Sequence, residues 1–464
     1  MGRKKKELGL DSMGIQKTMR ASDYISDSLG MITLNVISGL VGQLTYFYTD
    51  KAGVAAGAVA TILLIVKIFD AFTDLFMGKI VDGTEKGKEK CRPWFLRMVI
   101  PAILSIILMF TIPQNISSTM KLIYILITNF LATGIVYTAI AIPYGSMMAI
   151  RTKSVEERGK MGTARALAGY IAGMIIAILL IPISNAFGGD QNAWIKLGVI
   201  FAVISGIFLF ILYKKSKEEV DEIEVADNGE ENIPFFEALG LLFKNKYWVI
   251  MLVVNLFMNI SYGLSGTGGT YYAKWVLGND NLVALLGAIG LIPTFLGFIL
   301  VGPIIKKFGM AKTYKICCII GALACLVRVF LPYSLLAVII CGAITTFATI
   351  PMMCVGGPMV NNCVEYNEYL YGKKLVGMNN SASSFGNKIG SGVGGSLVGW
   401  LLALGAYDAS LSSQSQSAIY AIFGFSIYIP LALFVIMLIL ISRYDLEKIY
   451  PDIVKELKAR KSKA

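Results

Sequence analysis

The stretch KIFDAFTDLFMGKIVDGTEKGKEKCRPW, residues 67–94, begins inside an apolar run that carries Lys67, Asp70 and Asp74, and it ends in a dense cluster of charge. The spacing of these three residues predicts one face of a helix. Asp74 and Asp70 precede Asp82 by eight and twelve residues, which is about 12 and 18 Å of helix at about 1.5 Å per residue. Charges at such depth in a bilayer cost at least about 2.5–3.5 kcal/mol each, so this face indicates a water-filled cavity or an ion site.

The composition indicates that the whole chain is a polytopic membrane protein. Of its 464 residues 56% are hydrophobic and 16% charged, and the mean hydropathy is +0.67, which is too apolar for a soluble domain. Helices are the expected spanning elements, because backbone amides in lipid must be satisfied within their own segment. Twelve spans are predicted, at 24–49, 53–82, 93–112, 120–150, 162–186, 193–213, 246–275, 282–304, 313–332, 336–362, 377–404 and 417–442.

Charge asymmetry between the connections predicts the orientation. Both termini and the even-numbered connections carry clusters of Lys and Arg, as in GRKKKELG, EKGKEKCR and RTKSVEERGK. By the positive-inside rule both termini are expected in the cytoplasm, with the protein in the plasma membrane. The basic, polar N-terminus predicts no cleavable signal peptide. The net charge of +12 lies in these loops, so it favours contact with anionic lipid headgroups and no nucleic-acid partner.

The chain divides into two halves of six spans. Residues 214–246 form the longest polar stretch and predict a cytoplasmic linker between bundles at 1–213 and 247–464. FMGKIVDGTEKGKEKCRPW after the second span is echoed by LVGPIIKKFGMAKTYK after the eighth. Such duplication is typical of secondary transporters, in which two bundles move about a site near the middle of the membrane.

The residue inventory argues against an enzyme. The chain has no histidine, and its seven cysteines show no paired metal-ligand spacing. We find no nucleophile with a neighbouring base and no cofactor loop, so no cofactor is expected besides a coupling cation.

Two carboxylates one turn apart supply hard oxygen ligands of the kind an alkali cation prefers. Asp70 and Asp74 repel each other unless a cation sits between them or one of them is protonated, so Na⁺ and H⁺ would compete for the pair. The hydroxyl of Thr73 adds an oxygen. The structural alternative is that Lys67 and Asp70 neutralise each other and hold the helix against a neighbour, which leaves Asp74 without a partner.

Four further charged residues are functional candidates. Lys388, in SSFGNKIGSGVGGSLVGW, is expected to face a cavity, or else the glycines form a packing seam and the lysine pairs with a distant acid. Arg165 lies near the cytoplasmic start of the fifth span, where snorkelling is the alternative. Glu365 and Glu368 lie at the inner end of the tenth span, where they are interpreted as a gate or salt bridge, or as part of a solvated turn.

Several segments together resemble a known family. YFYTD, the stretch at 67–94, AIPYGSMMAIRTKSVEERGKMGTARALAG and VEYNEYLYGKK are similar, in order and spacing, to signatures of the glycoside-pentoside-hexuronide:cation symporters, which include the melibiose permeases. The resemblance is densest in the N-terminal half. It implies the major facilitator fold, and a cation site, with Na⁺ at Asp70 and Asp74, that also includes Thr73 and Thr138. It further implies that Arg165 and Lys388 lie near the sugar path.

Departures from the family pattern bear on the substrate. Leu34 stands where melibiose permeases carry a sugar-binding aspartate, and Ala141 and Gly145 replace an aspartate and a tryptophan. Losing two acids while keeping Lys67, Arg165 and Lys388 makes the expected cavity more positive, so an anionic uronide paired with Lys388 or Arg165 is one hypothesis. The other, favoured by the breadth of the family, is a neutral pentoside or glycoside held by Asn35, Tyr144, Asn255, Asn259 and Asn387.

These observations predict a monomeric secondary active transporter that imports a sugar with Na⁺ or H⁺ by alternating access. Two alternatives stay open. One is a facilitator for an anionic or amphipathic non-sugar solute. The other is a non-transporting membrane sensor, although a sensor would be expected to carry a sizeable soluble domain.

Overall fold

A computed structural model describes residues 8–10, 15–84, 88–152, 154–218, 235–372 and 375–461. Nearly all of this part of the chain is helical; a two-stranded antiparallel ladder joins Leu8–Leu10 to Gln16–Lys17. Ten helices in the described residues are long and apolar enough to cross a membrane. The prediction of an all-α polytopic membrane protein is therefore confirmed.

The predicted count of twelve spans depends on two weaker segments. The third predicted span is split into Arg92–Arg97 and Val99–Phe110, which is only 12 residues long. The eleventh is a helix of 29 residues, Val376–Leu404, which is rich in glycine, serine and asparagine and is not one of the ten helices of the described residues that are apolar enough to count as spans. The count of twelve stays a prediction.

The chain forms two compact units, Met1–Ala226 and Asp227–Ala464. The first unit contains α1 Ala21–Gly42, α2 Leu44–Tyr46, a π-helical segment Phe47–Lys51, α3 Ala56–Asp82, α4 Arg92–Arg97, α5 Val99–Phe110, α6 Ser118–Asn129, a second π-helical segment Phe130–Tyr137, α7 Thr138–Arg151, α8 Val155–Ala186 and α9 Gln191–Lys215. In this unit α1 packs on α8 and α9, and α3 packs on α7 and on Phe130–Tyr137.

The second unit is built in the same way from long helices. It contains α10 Phe235–Lys244, α11 Lys246–Trp275, α12 Leu282–Ile289, α13 Leu291–Phe308, α14 Met310–Phe330, α15 Leu335–Tyr371, α16 Val376–Leu404, α17 Gln416–Phe423, a π-helical segment Gly424–Tyr428, α18 Ile429–Ser442 and α19 Leu446–Lys461. Here α11 packs along α16, and α14 packs on α15 and α18. Of the predicted linker at 214–246, residues 219–234 lie outside the described residues and α10 occupies part of the remainder.

Two helices extend beyond their predicted bounds because of capping residues. The fifth span begins at Val155, not 162, because the Ser154 hydroxyl accepts from the Glu157 backbone N–H at 3.3 Å. The tenth continues to Tyr371 and ends at Gly372, which has a φ of 71° that favours glycine. Glu365 and Glu368 therefore lie on a continuous helix, and the alternative of a solvated turn is wrong.

A glutamate from a distant part of the chain caps the N-terminus of a helix in each unit. The Glu218 carboxylate accepts from the backbone N–H groups of Lys90, Cys91 and Arg92 at 2.5–2.8 Å, where α4 begins. The Glu447 carboxylate accepts from Met310 and Ala311 at 2.7 and 2.9 Å, where α14 begins. A carboxylate suits both the free N–H groups and the positive end of the helix dipole. The two units thus repeat one arrangement, in agreement with the weak internal duplication of the sequence.

Glycines bring the backbones of α11 and α16 into direct contact. A Cβ on Gly394 would lie 2.9 Å from the Ile260 Cα, and a Cβ on Gly390 would lie 2.8 Å from the Leu256 carbonyl oxygen. These distances leave no room for a side chain, so the glycines of α16 do form a packing seam.

Replacing Gly394 by alanine should destabilise the protein, because the new methyl group forces two backbones apart. We expect a cost of about 1–3 kcal/mol, measured as a lower apparent unfolding temperature of the purified protein in detergent. Gly302→Ala is the matched control, since nothing lies within 4 Å of the Cβ it would add. Equal unfolding temperatures for the two variants would contradict the proposed seam.

Candidate functional site

The carboxylates of Asp70 and Asp74 on α3 contact the first residue of α7. Thr138 Oγ1 lies 3.2 Å from Asp70 Oδ1 and 2.9 Å from Asp74 Oδ1. Asp70 and Thr138 are buried, at 1% and 2% exposure. Since α3 packs along the segment that precedes Thr138, the fold brings together three of the four residues that the resemblance implies for a cation site.

This cluster contains more hydrogen-bond acceptors than one hydroxyl can serve. Besides the two aspartates, Thr138 Oγ1 lies 3.4 Å from the Thr133 carbonyl oxygen. The hydroxyl has one hydrogen to donate and faces three acceptor oxygens. A small positive charge at this position would bind all of these oxygens at once, which is the donor chemistry that suits Na⁺ or a proton.

The π-helical segment Phe130–Tyr137 prepares this geometry, and the sequence analysis missed it. A π-helix has a wider turn than an α-helix. The side-chain hydroxyl of Thr138, which follows this segment, lies near the carbonyl oxygen of Thr133, five residues earlier. Such segments are frequent at functional sites. The only available signal was the resemblance at Thr138, because apolar periodicity does not distinguish π from α turns.

Thr73 and Lys67 contact the aspartates differently. The Thr73 hydroxyl donates to the Asp70 carbonyl oxygen at 3.0 Å, so its hydrogen is used on its own helix. Lys67 Nζ lies 3.6 Å from Asp70 Oδ2 and its side chain is 30% exposed. Lys67 and Asp70 therefore do form the predicted pair, while Asp74 contacts Thr138. Among the described residues no group of three or more His, Cys, Asp or Glu side chains could hold a metal ion, so a bound cation would rely on two carboxylates and hydroxyl oxygen.

A second buried charge cluster links α1, α7 and α8. The Arg165 guanidinium contacts the Asp27 carboxylate through two bonds, Nε to Oδ2 at 2.6 Å and Nη2 to Oδ1 at 3.0 Å. Its Nη1 donates to the Tyr144 carbonyl at 2.8 Å, and its centre lies 3.7 Å from the Tyr144 ring centroid. The Tyr144 hydroxyl donates to the Asp27 carbonyl at 2.8 Å.

This arrangement changes the interpretation of Arg165 and Tyr144. Arg165 is 4% exposed and Asp27 1%, so the snorkelling alternative is wrong. Arg165 also lies in the third turn of α8 and not near its first turn, as was predicted, because α8 begins at Val155. Both side chains are engaged within the unit, and a role in binding substrate would require the pair to open. Asp27 was missed, although an acid inside a predicted span is itself a signal.

Asn35, the third polar candidate of the first unit, packs against α8. Its Nδ2 donates to the Met31 carbonyl at 3.0 Å. A Cβ on Gly169 would lie 2.7 Å from this nitrogen, so the amide occupies the space that a glycine leaves on α8.

The second unit carries a polar strip on α11 and α16. Asn259 Nδ2 donates to Asn387 Oδ1 at 2.9 Å and to the Asn255 carbonyl at 2.8 Å. Asn387 is exposed, while Asn255, Asn259 and the adjacent Lys388 are half-buried. The fold thus brings the side chains of Asn259 and Asn387, two of the substrate candidates of the second unit, into contact.

The C-terminal end of α15 is covered by α19. The Tyr450 hydroxyl donates to Glu365 Oε2 at 2.6 Å, and Arg460 Nη1 donates to the Tyr369 carbonyl at 3.0 Å. Burial and the bond to Glu365 raise the pKa of Tyr450 to about 12. The proposed gate role of Glu365 and Glu368 stays a prediction.

Comparison with known proteins places this geometry in a family. The model of the family described as MFS/sugar transport protein matches residues 24–448. The chain belongs to the MFS/sugar transport protein family. It is therefore a multi-pass membrane transporter and not an enzyme, and its fold is the major facilitator fold.

Relatives of this transporter match over nearly their whole length. The isoprimeverose transporter of Lactiplantibacillus pentosus is 27% identical over 95% of this chain and 91% of that protein. A glucuronide carrier protein homolog of Escherichia coli is 29% identical, with 90% and 91% covered. The putative glycoside/cation symporter YagG of the same organism is 27% identical, with 91% and 92% covered. The crystal structure of a D-xylose-proton symporter shares the fold with a TM-score of 0.65, at 12% identity and with 91% and 97% covered.

Breaking the Asp27–Arg165 pair from one side should destabilise the transporter, because the partner charge is left buried. We expect Asp27→Leu or Arg165→Met to cost about 3–5 kcal/mol each, and the double variant to cost less than the sum. The measurement is the unfolding temperature of the purified variants.

Lys160→Met provides the control on the same helix. Its exposed ion pair with Glu156, 57% and 33% exposed, should contribute about 0–1 kcal/mol. Additive losses in the double variant would contradict direct coupling between Asp27 and Arg165.

Proposed function

We propose that this transporter imports a sugar by symport with Na⁺ or H⁺ through alternating access. The observation that carries this proposal is the cluster of buried Asp70 and Thr138 with half-buried Asp74, in which one hydroxyl faces three acceptor oxygens. Relatives named for isoprimeverose, glucuronide and glycoside/cation transport support the class of solute and the coupling.

The cluster offers a physical basis for coupling. Without a cation the two carboxylates repel each other, and a bound Na⁺ or proton removes this repulsion. If cation binding favours the conformation that accepts sugar, the two affinities must increase each other by the same factor. Lys67, close to Asp70, would move away or remain as a competing positive charge when the cation binds.

The structure favours a neutral sugar over an anionic one. The anionic hypothesis rests on three positive charges, yet Arg165 is neutralised by Asp27 and Lys67 lies next to Asp70. The asparagines of α11 and α16 supply amide groups that suit sugar hydroxyls. A uronide whose carboxylate pairs with Lys388 is the second candidate, supported by the relative named as a glucuronide carrier homolog.

Orientation and assembly belong to the same proposal. We propose that both termini lie in the cytoplasm, that the transporter resides in the plasma membrane, and that it acts as a monomer. Uptake that depends on neither a Na⁺ nor a proton gradient would favour the alternative of a facilitator. No uptake of any solute would favour the sensor.

Asp74→Asn should abolish cation-dependent uptake while the protein still inserts in the membrane, because an amide cannot replace the carboxylate charge. Thr138→Val should weaken the apparent cation affinity about 10- to 100-fold, the effect of losing a hydrogen bond to a charged group. The measurement is uptake into reconstituted vesicles with Na⁺ and proton gradients imposed separately.

Thr73→Val is the matched control for Thr138→Val. Because the Thr73 hydroxyl donates to its own helix, we expect Thr73→Val to have an apparent cation affinity close to that of the unmodified protein.

Uptake by Asp74→Asn that keeps the Na⁺ and pH dependence of the unmodified protein would exclude this site from the mechanism.

Competition among sugars distinguishes the two substrate hypotheses. A neutral substrate predicts that neutral glycosides inhibit uptake and that Lys388→Gln leaves discrimination against uronides unchanged. The measurement is uptake of a radiolabelled glycoside in the presence of neutral or carboxylated sugars. Uptake that only carboxylated sugars inhibit, and that Lys388→Gln abolishes, would reverse the assignment.

A further inference from the structure

A half-open pocket of mixed polar and apolar lining lies in the second unit. Its volume is about 220 Å³, and it is bounded by α11, α12, α14, α15, the π-helical segment Gly424–Tyr428 and the start of α18. The lining includes Ser265 and Tyr272 from α11, Arg328 from α14, and Gly342 and Thr346 from α15. Among the described residues that line the pocket there is no carboxylate, and the guanidinium of Arg328 is the one positive charge.

Arg328 is half-buried, and one of its buried N–H donors has no acceptor among the described residues. Its Nη1 donates to the Ser426 carbonyl at 3.2 Å, and its centre lies 4.9 Å from the Tyr272 ring centroid. Its Nε is buried and has no hydrogen-bond partner among the described residues. No carboxylate in this part of the chain lies within 4.0 Å of it, and a guanidinium stays protonated in proteins.

Helix geometry offsets only part of this charge. Arg328 lies in the last turn of α14, where the helix dipole provides roughly half a negative charge. The dipole and the Tyr272 ring favour a cation at this position, but neither gives the Nε–H an acceptor. A buried donor without an acceptor carries a desolvation cost that a ligand oxygen would remove.

We infer that this cavity binds a small oxyanion, a carboxylate or a phosphate group, which the Arg328 guanidinium contacts through Nε–H and a neighbouring N–H. Paired N–H donors match two oxygens of such a group. Ligand pockets for drug-sized molecules span about 300–1,000 Å³, so a cavity of about 220 Å³ suits a small solute or a lipid headgroup phosphate. The inference goes beyond the proposed symport, which uses residues of α3 and α7 for the cation.

Two variants that act by different means test the site. Arg328→Gln removes the charge and the guanidinium. Gly342→Leu keeps Arg328 but fills the cavity, and nothing lies within 4 Å of the Cβ it introduces. The matched controls are Arg443→Gln, at an exposed arginine, and Gly302→Leu, at an open position on α13.

Binding is measured on the purified full-length protein, by calorimetry and by the shift in unfolding temperature. Inorganic phosphate and sodium glucuronate are titrated in detergent with phosphatidylcholine as the only lipid. A parallel series compares nanodiscs of phosphatidylcholine with nanodiscs that contain phosphatidylglycerol. We expect the unmodified protein and both controls to bind, and Arg328→Gln and Gly342→Leu to bind at least about tenfold more weakly.

The two series identify the source of the oxyanion. Binding of phosphate or glucuronate that both test variants weaken supports a site for a free solute. Stabilisation only by phosphatidylglycerol, again lost in both variants, supports a headgroup site. No binding in either series, or binding that Gly342→Leu leaves unchanged, would overturn the inference, even if Arg328→Gln fails to fold.

Discussion

The cost of placing a charge in an apolar bundle determines how this protein is organised. Asp27 and Asp70 are equally buried, yet their surroundings differ. Asp27 has a guanidinium with two matched bonds, and that guanidinium also contacts a carbonyl and an aromatic face. Such full compensation fixes three helices together, and it leaves little reason for the cluster to bind anything else.

The cluster at Asp70 and Asp74 is arranged differently. Lys67 Nζ lies 3.6 Å from Asp70 Oδ2 on a side chain that is 30% exposed, and the Thr138 hydroxyl faces three acceptor oxygens with one hydrogen to donate. Under the proposed function a coupling cation would bind here, and its occupancy would change with conformation. The same contrast separates Arg165, which is fully paired, from Arg328, which is not. Compensation within the unit thus distinguishes structural charges from charges available to a ligand.

Hydropathy and charge placement predicted the helical membrane fold and singled out Asp70 and Asp74, because both signals are local in sequence. Thr138 was identified only through the family resemblance, because the sequence around it does not indicate that its hydroxyl faces two carboxylates from another helix. Asp27 was overlooked because its role depends on Arg165, 138 residues away. The start of α8 was misplaced because VEERGK is charged, although Ser154 followed by Glu157 is a helix-start signal. Contacts between residues far apart in sequence and helix caps therefore account for most of the features that the sequence did not predict.

The paired glutamate caps have a consequence for how the chain assembles in the membrane. Glu218 closes the start of α4 across 126 residues, and Glu447 closes the start of α14 across 137 residues. The backbone N–H groups at each of these helix starts gain their carboxylate acceptor only after the last long helix of the same half has been synthesised. Neither cap uses a residue from the other half. The acceptor that closes each of these helix starts is therefore supplied by the same half of the chain, so the caps place no requirement on the order in which the two halves are completed.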